Sequence, residues 1–127
     1  MISFQEVLEL HELSIIDFGG SDGIRDIDML ESAVERPKAT FDGTELYPTP
    51  FQKAAAIFES IIKNHPFVDG NKRTAWLACI AILRLNNYRF IIVENVAYNF
   101  VIKVASSHLD FEEIVSFIET STIRINP

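Results

Sequence analysis

Two helical patterns flanking one short break constrain this chain more than anything else in it. Phe51, Ala54, Ala55, Phe58, Ile61 and Ile62 recur at i, i+3, i+4 and i+7, the spacing of an amphipathic helix. From Asn71 to Leu85 the residues are apolar on nearly every face, which predicts a central helix buried on all sides. Between the two runs stand Pro66 and Gly70, neither of which continues a helix. Two helical segments thus flank one short loop, the second of them a central helix. The rest of the chain supplies covers for that pair.

The covers are also helical. Ser3-x-x-Glu6 is a capping box, followed by Phe4, Val7, Leu8, His11 and Ile15 at helical spacing. Residues 19–23, Gly-Gly-Ser-Asp-Gly, break the chain. Asp28-x-x-Glu31 is read as the cap of a second helix bearing Ile27, Leu30 and Val34, which Pro37 ends. Gly43, Pro48 and Pro50 make residues 40–50 a loop or small flap. Asn86-Asn87 ends the fourth helix, and Arg89–Val93 reads as one short extended segment. A fifth helix follows from about Val96 to Ala105. A sixth starts at Asp110 with Glu113, presenting Phe111, Ile114, Val115 and Ile118. The predicted fold class is all-α, a bundle of about six helices in a single domain, 1–127.

Composition limits the partners. With 11 Lys and Arg against 18 Asp and Glu, the net charge is −7, which argues against direct nucleic-acid binding. The longest apolar run, Ala75–Leu83, falls well short of the ~18 residues that cross a bilayer. Met1–Leu10 carries Glu6 and Glu9, unlike a signal segment, so a cytoplasmic protein is expected and no membrane partner. The single cysteine, Cys79, sits among Ala78, Ile80 and Ala81. It reads as a buried inert thiol and excludes an internal disulfide or a Cys-rich zinc site.

Against that background, His65-Pro66-Phe67-Val68-Asp69-Gly70-Asn71-Lys72-Arg73-Thr74-Ala75 carries an unusual inventory: an imidazole, a carboxylate, a glycine, a carboxamide and two cations. A loop entering a helix N-terminus presents unpaired amides and the positive end of the dipole. Gly70 removes the Cβ that would keep a phosphate off those amides. Asn71 is expected as the N-cap, its side chain holding the loop closed. Lys72 and Arg73 put cations where a helix dipole disfavours them, which argues for an anion there. Asp69 beside a polyphosphate is the usual way to hold magnesium. A neutral His65 can take a proton from a hydroxyl nucleophile, its backbone restricted by Pro66. His11 reads as a satisfied core residue, and neither it nor His108 has neighbours at ligand spacing. Trp76 reads as packing rather than a base-stacking platform.

The stretch resembles the central motif of the Fic/Doc (Fido) superfamily, His-Pro-Phe-x-Asp/Glu-Gly/Ala-Asn-x-Arg. Within it the chain looks most like the Doc, or death-on-curing toxin, branch, in which Asn-Lys-Arg-Thr-Ala follows. Other family-like strings are Gly23-Ile24-Arg25-Asp26, Leu30-Glu31-Ser32-Ala33, Glu35-Arg36-Pro37 and Glu45-Leu46-Tyr47-Pro48. The resemblance implies His65 as base, Asp69 as magnesium ligand, and Gly70, Asn71, Lys72 and Arg73 as the ATP phosphate cradle, with Lys72 and Arg73 also counted in catalysis. AMP-transferring members of the superfamily continue Gly-Asn-Gly-Arg-x-x-Arg. Here Lys72 replaces the second glycine and Trp76 the last arginine, which fills the phosphate path and removes the distal clamp.

The resemblance to Doc therefore implies ATP bound in the opposite direction and phosphorylation of a protein hydroxyl, with elongation factor Tu the target tied to that branch. It further implies the toxin of a toxin–antitoxin pair. Protein adenylyl transfer and a non-catalytic binding module are the alternatives. Self-inhibited Fic proteins carry Ser/Thr-x-x-x-Glu. No serine or threonine here has a glutamate four residues on, so inhibition is expected from a separate antitoxin chain.

Overall fold

Three capping boxes set where helices begin in the computed structural model, which describes residues 1–126. Ser3 and Glu6 open α1 (Phe4–Phe18), Thr49 and Gln52 open α3 (Pro50–Asn64), and Asp110 and Glu113 open α6 (Phe111–Thr120). In each, the cap oxygen accepts from the third helical amide while that residue's side chain returns to the cap amide. Such caps contribute about 1 kcal/mol apiece. The second helix, α2 (Ile27–Glu35), is capped by Asp26, which accepts from the Met29 amide at 3.1 Å, and not by Asp28. Asp28 lies inside the first turn. The chain before it is held extended, with the Arg25 and Asp26 amides both donating to the Pro66 carbonyl, and this fixes the earlier residue as the cap.

A 3-10 turn (Arg36–Lys38) leads to the flap, a hairpin of β1 (Thr40–Phe41) and β2 (Thr44–Glu45). Arg36 anchors it. Its Nε donates to the Tyr47 hydroxyl at 2.9 Å, and its Nη1 reaches Glu59 at 2.9 Å and Ser60 Oγ at 3.0 Å. Two of the family-like strings, on either side of the flap, thus meet against α3.

The central pair is α3 against α4 (Asn71–Leu85). Ala54, Ala55, Phe58, Ile61 and Ile62 face Ala75, Ala78, Cys79 and Ile82, all fully buried or nearly so. Alternating small and large side chains let the two backbones approach while the large ones fill the space between them. Full burial of one such Phe or Ile contributes roughly 1.5–3 kcal/mol. Burial pushes the Cys79 thiol pKa up, as an inert core cysteine requires.

The expectation that α4 is buried on every side is corrected. Its buried stripe is Thr74, Ala75, Ala78, Cys79, Ile82 and Leu83, while Trp76, Leu77 and Ile80 are half-covered and Leu85 is 60% exposed. The chain has too few elements to wrap all sides of this helix. α5 (Glu94–Ala105) meets it near Trp76, whose ring lies 6.2 Å from that of Phe100. Aromatic rings tie the remaining elements together: Phe58 and Phe100 stack at 5.2 Å, Phe100 and Phe117 at 4.0 Å.

The extended segment is β3 (Tyr88–Phe90), shorter than read, and it pairs antiparallel with β4 (Thr122–Arg124). Residues 122–124 carry no strand pattern of their own. The pairing is decided by where α6 delivers the chain. Six helices with two minimal two-stranded sheets, only the first of them a hairpin, agree with the all-α prediction. Among the described residues no helix is long and apolar enough to cross a membrane.

Candidate active site

The motif occupies the turn from α3 to α4, and nearly every backbone group in it is held. His65 closes α3 in the left-handed region, φ 48 and ψ 55, its amide bonding Ile61 at 3.2 Å. A residue before proline usually takes extended backbone. Here the helix end demands the left-handed turn instead. Arg25 grips that end from the α1–α2 loop: Nε donates to the His65 carbonyl at 2.6 Å and Nη2 to the Asn64 carbonyl at 2.7 Å. The fork satisfies two orphan carbonyls and sets a cation at the negative pole of α3. The Val68 amide donates to the Gly23 carbonyl at 3.0 Å, and Ile24 pairs with Phe67 as a short bridge.

Phe67 anchors the loop in the core, 1% exposed. Asn71 clamps that anchor's backbone from both sides, Oδ1 accepting from the Phe67 amide at 2.9 Å and Nδ2 donating to its carbonyl at 3.0 Å. It holds the loop closed, but it is not the N-cap. Gly70 is, in left-handed conformation at φ 76, and no side chain caps α4. The amides of the first turn therefore stay open for an anion. A Cβ on Gly70 would lie 3.3 Å from Ile15 Cδ1 and 3.4 Å from Ser14 Oγ, so the glycine also admits close packing on α1.

Asp69 is exposed. Its Oδ2 accepts from the Ser21 amide at 3.2 Å and its Oδ1 from the Gly70 amide at 2.8 Å. Those two bonds, with Arg73 and His11 nearby, hold its carboxyl below the usual carboxylate range. Gly20 makes this possible: at φ +112, a Cβ there would stand 2.6 Å from Asp69 Oδ2.

The two cations behave differently. Arg73 donates to the Gly19 carbonyl at 2.9 Å and lies over the Phe18 ring at 5.7 Å. Its conflict with the helix dipole is relieved within the chain, so Arg73, contrary to the expectation from sequence, does not itself require an anion. Lys72 is exposed with no hydrogen bond among the described residues, so its charge at the helix N-terminus is left unbalanced.

His65, Val68, Asp69, Gly70, Asn71, Lys72 and Arg73 line one cleft of about 370 Å³. A larger groove, about 510 Å³, separates α5 from α6 and contains none of them. Size does not decide between the two. The uncapped helix terminus, the exposed imidazole and the Asp69 carboxylate stand together at the smaller, whereas the larger is lined by Glu113 and Lys103 with no histidine. All six predicted site residues come together there. Sequence reasoning missed Arg25, which only its place in the family-like string Gly23–Asp26 pointed to, and the loop residues Gly20 and Ser21.

The model described as the Fic/DOC family matches residues 1–83. The chain belongs to the Fic/Doc family. A "Toxin Doc" of Mycolicibacterium smegmatis is 49% identical over 71 residues, 56% of this chain and 55% of the relative. The match thus spans just over half of that protein's length. A "Protein kinase doc" of Escherichia phage P1 is 32% identical over 85 residues, 67% of each chain. The Fic/Doc match takes in α1 to α3, the whole motif and most of α4.

Proposed function

We propose that this single Fic/Doc domain is a cytoplasmic toxin that transfers the γ-phosphoryl group of ATP, with magnesium, to a hydroxyl side chain of a target protein. Elongation factor Tu is the candidate target through the Doc resemblance alone. One observation carries the reading: an exposed histidine and an ionised carboxylate share a cleft with an uncapped helix N-terminus at which Lys72 has no hydrogen bond among the described residues. In this reading His65 accepts the proton of the attacking hydroxyl, whose oxygen forms a bond to the γ-phosphorus as ADP leaves. Gly70, Asn71 and Arg73 shape the phosphate cradle through the first-turn amides, and Lys72 offsets the developing charge.

Magnesium fits the donor set. Each Asp69 oxygen takes only one amide hydrogen bond and keeps a lone pair free. Among the described residues no three ligating side chains gather, which suits an ion completed by nucleotide phosphates and water rather than a closed protein cage. Asp69 would hold it, and the ion would neutralise phosphate charge.

Trp76 supports phosphoryl over AMP transfer, since its ring stacks on Phe90 at 4.6 Å and supplies no charge at the distal position. Control by an antitoxin is supported by apolar side chains left exposed at the motif, Phe18 at 71% under the Arg73 guanidinium and Val68 at 56% in the loop itself. Purified protein is to be incubated with cell lysate and ATP labelled at either the α- or the γ-phosphate. Label from the γ-position alone is the expected result. Label from the α-position would make the chain an adenylyl transferase, and none from either a binding module.

A further inference from the structure

His11 is 2% exposed, on the buried face of α1, and its Nε2 lies 2.8 Å from the main-chain carbonyl oxygen of Asp69. A carbonyl only accepts, so the hydrogen is on Nε2 and the ring is a donor to the motif. The opposite nitrogen, Nδ1, is 3.7 Å from Asp22 Oδ1, too far for a hydrogen bond, and Asp22 is 72% exposed. The imidazole is flat against Phe67, centroids 3.8 Å apart and planes within 4°. Stacking on the motif's anchor fixes the ring's plane, and the Ser14 hydroxyl, donating to the His11 carbonyl at 2.9 Å, reinforces this turn of α1.

A core histidine needs some partner, and any carbonyl would satisfy it. The particular carbonyl matters here. In a trans peptide the C=O and the following N–H point in opposite directions. Holding the Asp69 carbonyl on His11 therefore turns the Gly70 N–H the other way, where it donates to Asp69 Oδ1 at 2.8 Å. Gly70 has φ 76, a region that glycine leaves by peptide rotation at little steric cost, so the plane of this peptide is otherwise weakly determined. The chain of causes runs from a buried ring, through one peptide plane, to the rotamer of an exposed carboxylate.

We infer that His11 is a positioning residue that fixes the Asp69–Gly70 peptide and, through it, aims the Asp69 carboxylate at the divalent cation of a bound nucleotide. The inference rests on the reading of Asp69 as metal ligand given above. Two variants separate it from a packing role. His11→Phe keeps a flat ring against Phe67 and removes the donor, whereas His11→Gln supplies an amide N–H near the position of Nε2.

With full-length protein, Mn2+ binding in the presence of ADP is followed by electron paramagnetic resonance. The Mg2+ dependence of γ-phosphoryl transfer and the melting curve are measured alongside. His11→Phe is expected to weaken Mn2+ affinity and raise the half-saturating Mg2+ concentration about tenfold, the scale for losing a partner that orients a metal ligand. Saturating Mg2+ should restore turnover, and His11→Gln should recover most of the affinity. A folded His11→Phe protein with wild-type Mn2+ affinity overturns the inference, as does a His11→Gln protein no better than His11→Phe. Nitrogen chemical shifts of wild-type His11 supply a test that needs no variant: a hydrogen on Nδ1 in place of Nε2 also overturns it. If the wild type transfers neither label but its Mn2+ affinity still depends on His11, the kinase reading fails and the positioning role stands.

Discussion

His65 has no hydrogen bond from its imidazole to any described residue, which distinguishes it from bases oriented by a neighbouring acid. Its direction comes from the backbone instead, from the left-handed turn that ends α3 and the two Arg25 bonds behind it. The side chain can be truncated without cutting any of these ties. His65→Ala is therefore expected to keep the wild-type melting temperature while phosphoryl transfer and toxicity fall by about 10²–10⁴, the range for loss of a general base. Steady-state rates beside a thermal melt decide it, and wild-type turnover by the folded variant would remove His65 from the mechanism. Asp69 is arranged in the opposite way, its carboxylate already held by two amides and its carbonyl by His11. Pre-organisation in this site is concentrated on the carboxylate.

At the scale of elements, the proposed choice of phosphoryl over AMP transfer rests on the first two turns of α4. Lys72 and Trp76 are one turn apart, near the same face, and both line a second cleft of about 330 Å³ against Glu94 and Tyr98 of α5. Lys72→Gly is predicted to open the phosphate path and Trp76→Arg to restore a distal cation. The double variant should lose transfer from γ-labelled ATP. Trp76 stacks on Phe90 and touches the Phe58 and Phe100 rings edge-on, so its replacement should lower stability by roughly 3 kcal/mol. A melting curve must accompany the label assay. Persistence of wild-type γ-transfer in a folded double variant would show that these positions do not set nucleotide direction. The loop between α1 and α2 works as an element too. Through Gly19, Ser21, Gly23 and Arg25 it holds Arg73, Asp69, Val68 and the end of α3, so the motif is a composite of two loops.

For the whole molecule, the prediction concerns control. These 127 residues hold no Ser/Thr-x-x-x-Glu segment, and Phe18 and Val68 are exposed beside the proposed nucleotide site. Expression alone should arrest growth, and co-expression of a cognate antitoxin should relieve it. Harmless overexpression of a folded, nucleotide-binding wild type would contradict this. The sequence by itself determined the six helices, because apolar spacing, capping boxes and breakers such as Pro66 act within one or two turns. It also determined which side chains share the cleft, because His65, Asp69, Gly70, Asn71, Lys72 and Arg73 are neighbours along the chain. What only the tertiary structure decided involves partners distant in sequence: His11 on the Asp69 carbonyl, Arg25 on the end of α3, Arg73 on Gly19, and β3 on β4. Local pattern cannot encode such contacts, since each residue satisfies its own helix or turn whether or not the partner arrives. Even the cap of α2 moved from Asp28 to Asp26 for this reason, the extended segment before it being set by Pro66, forty residues away in the chain.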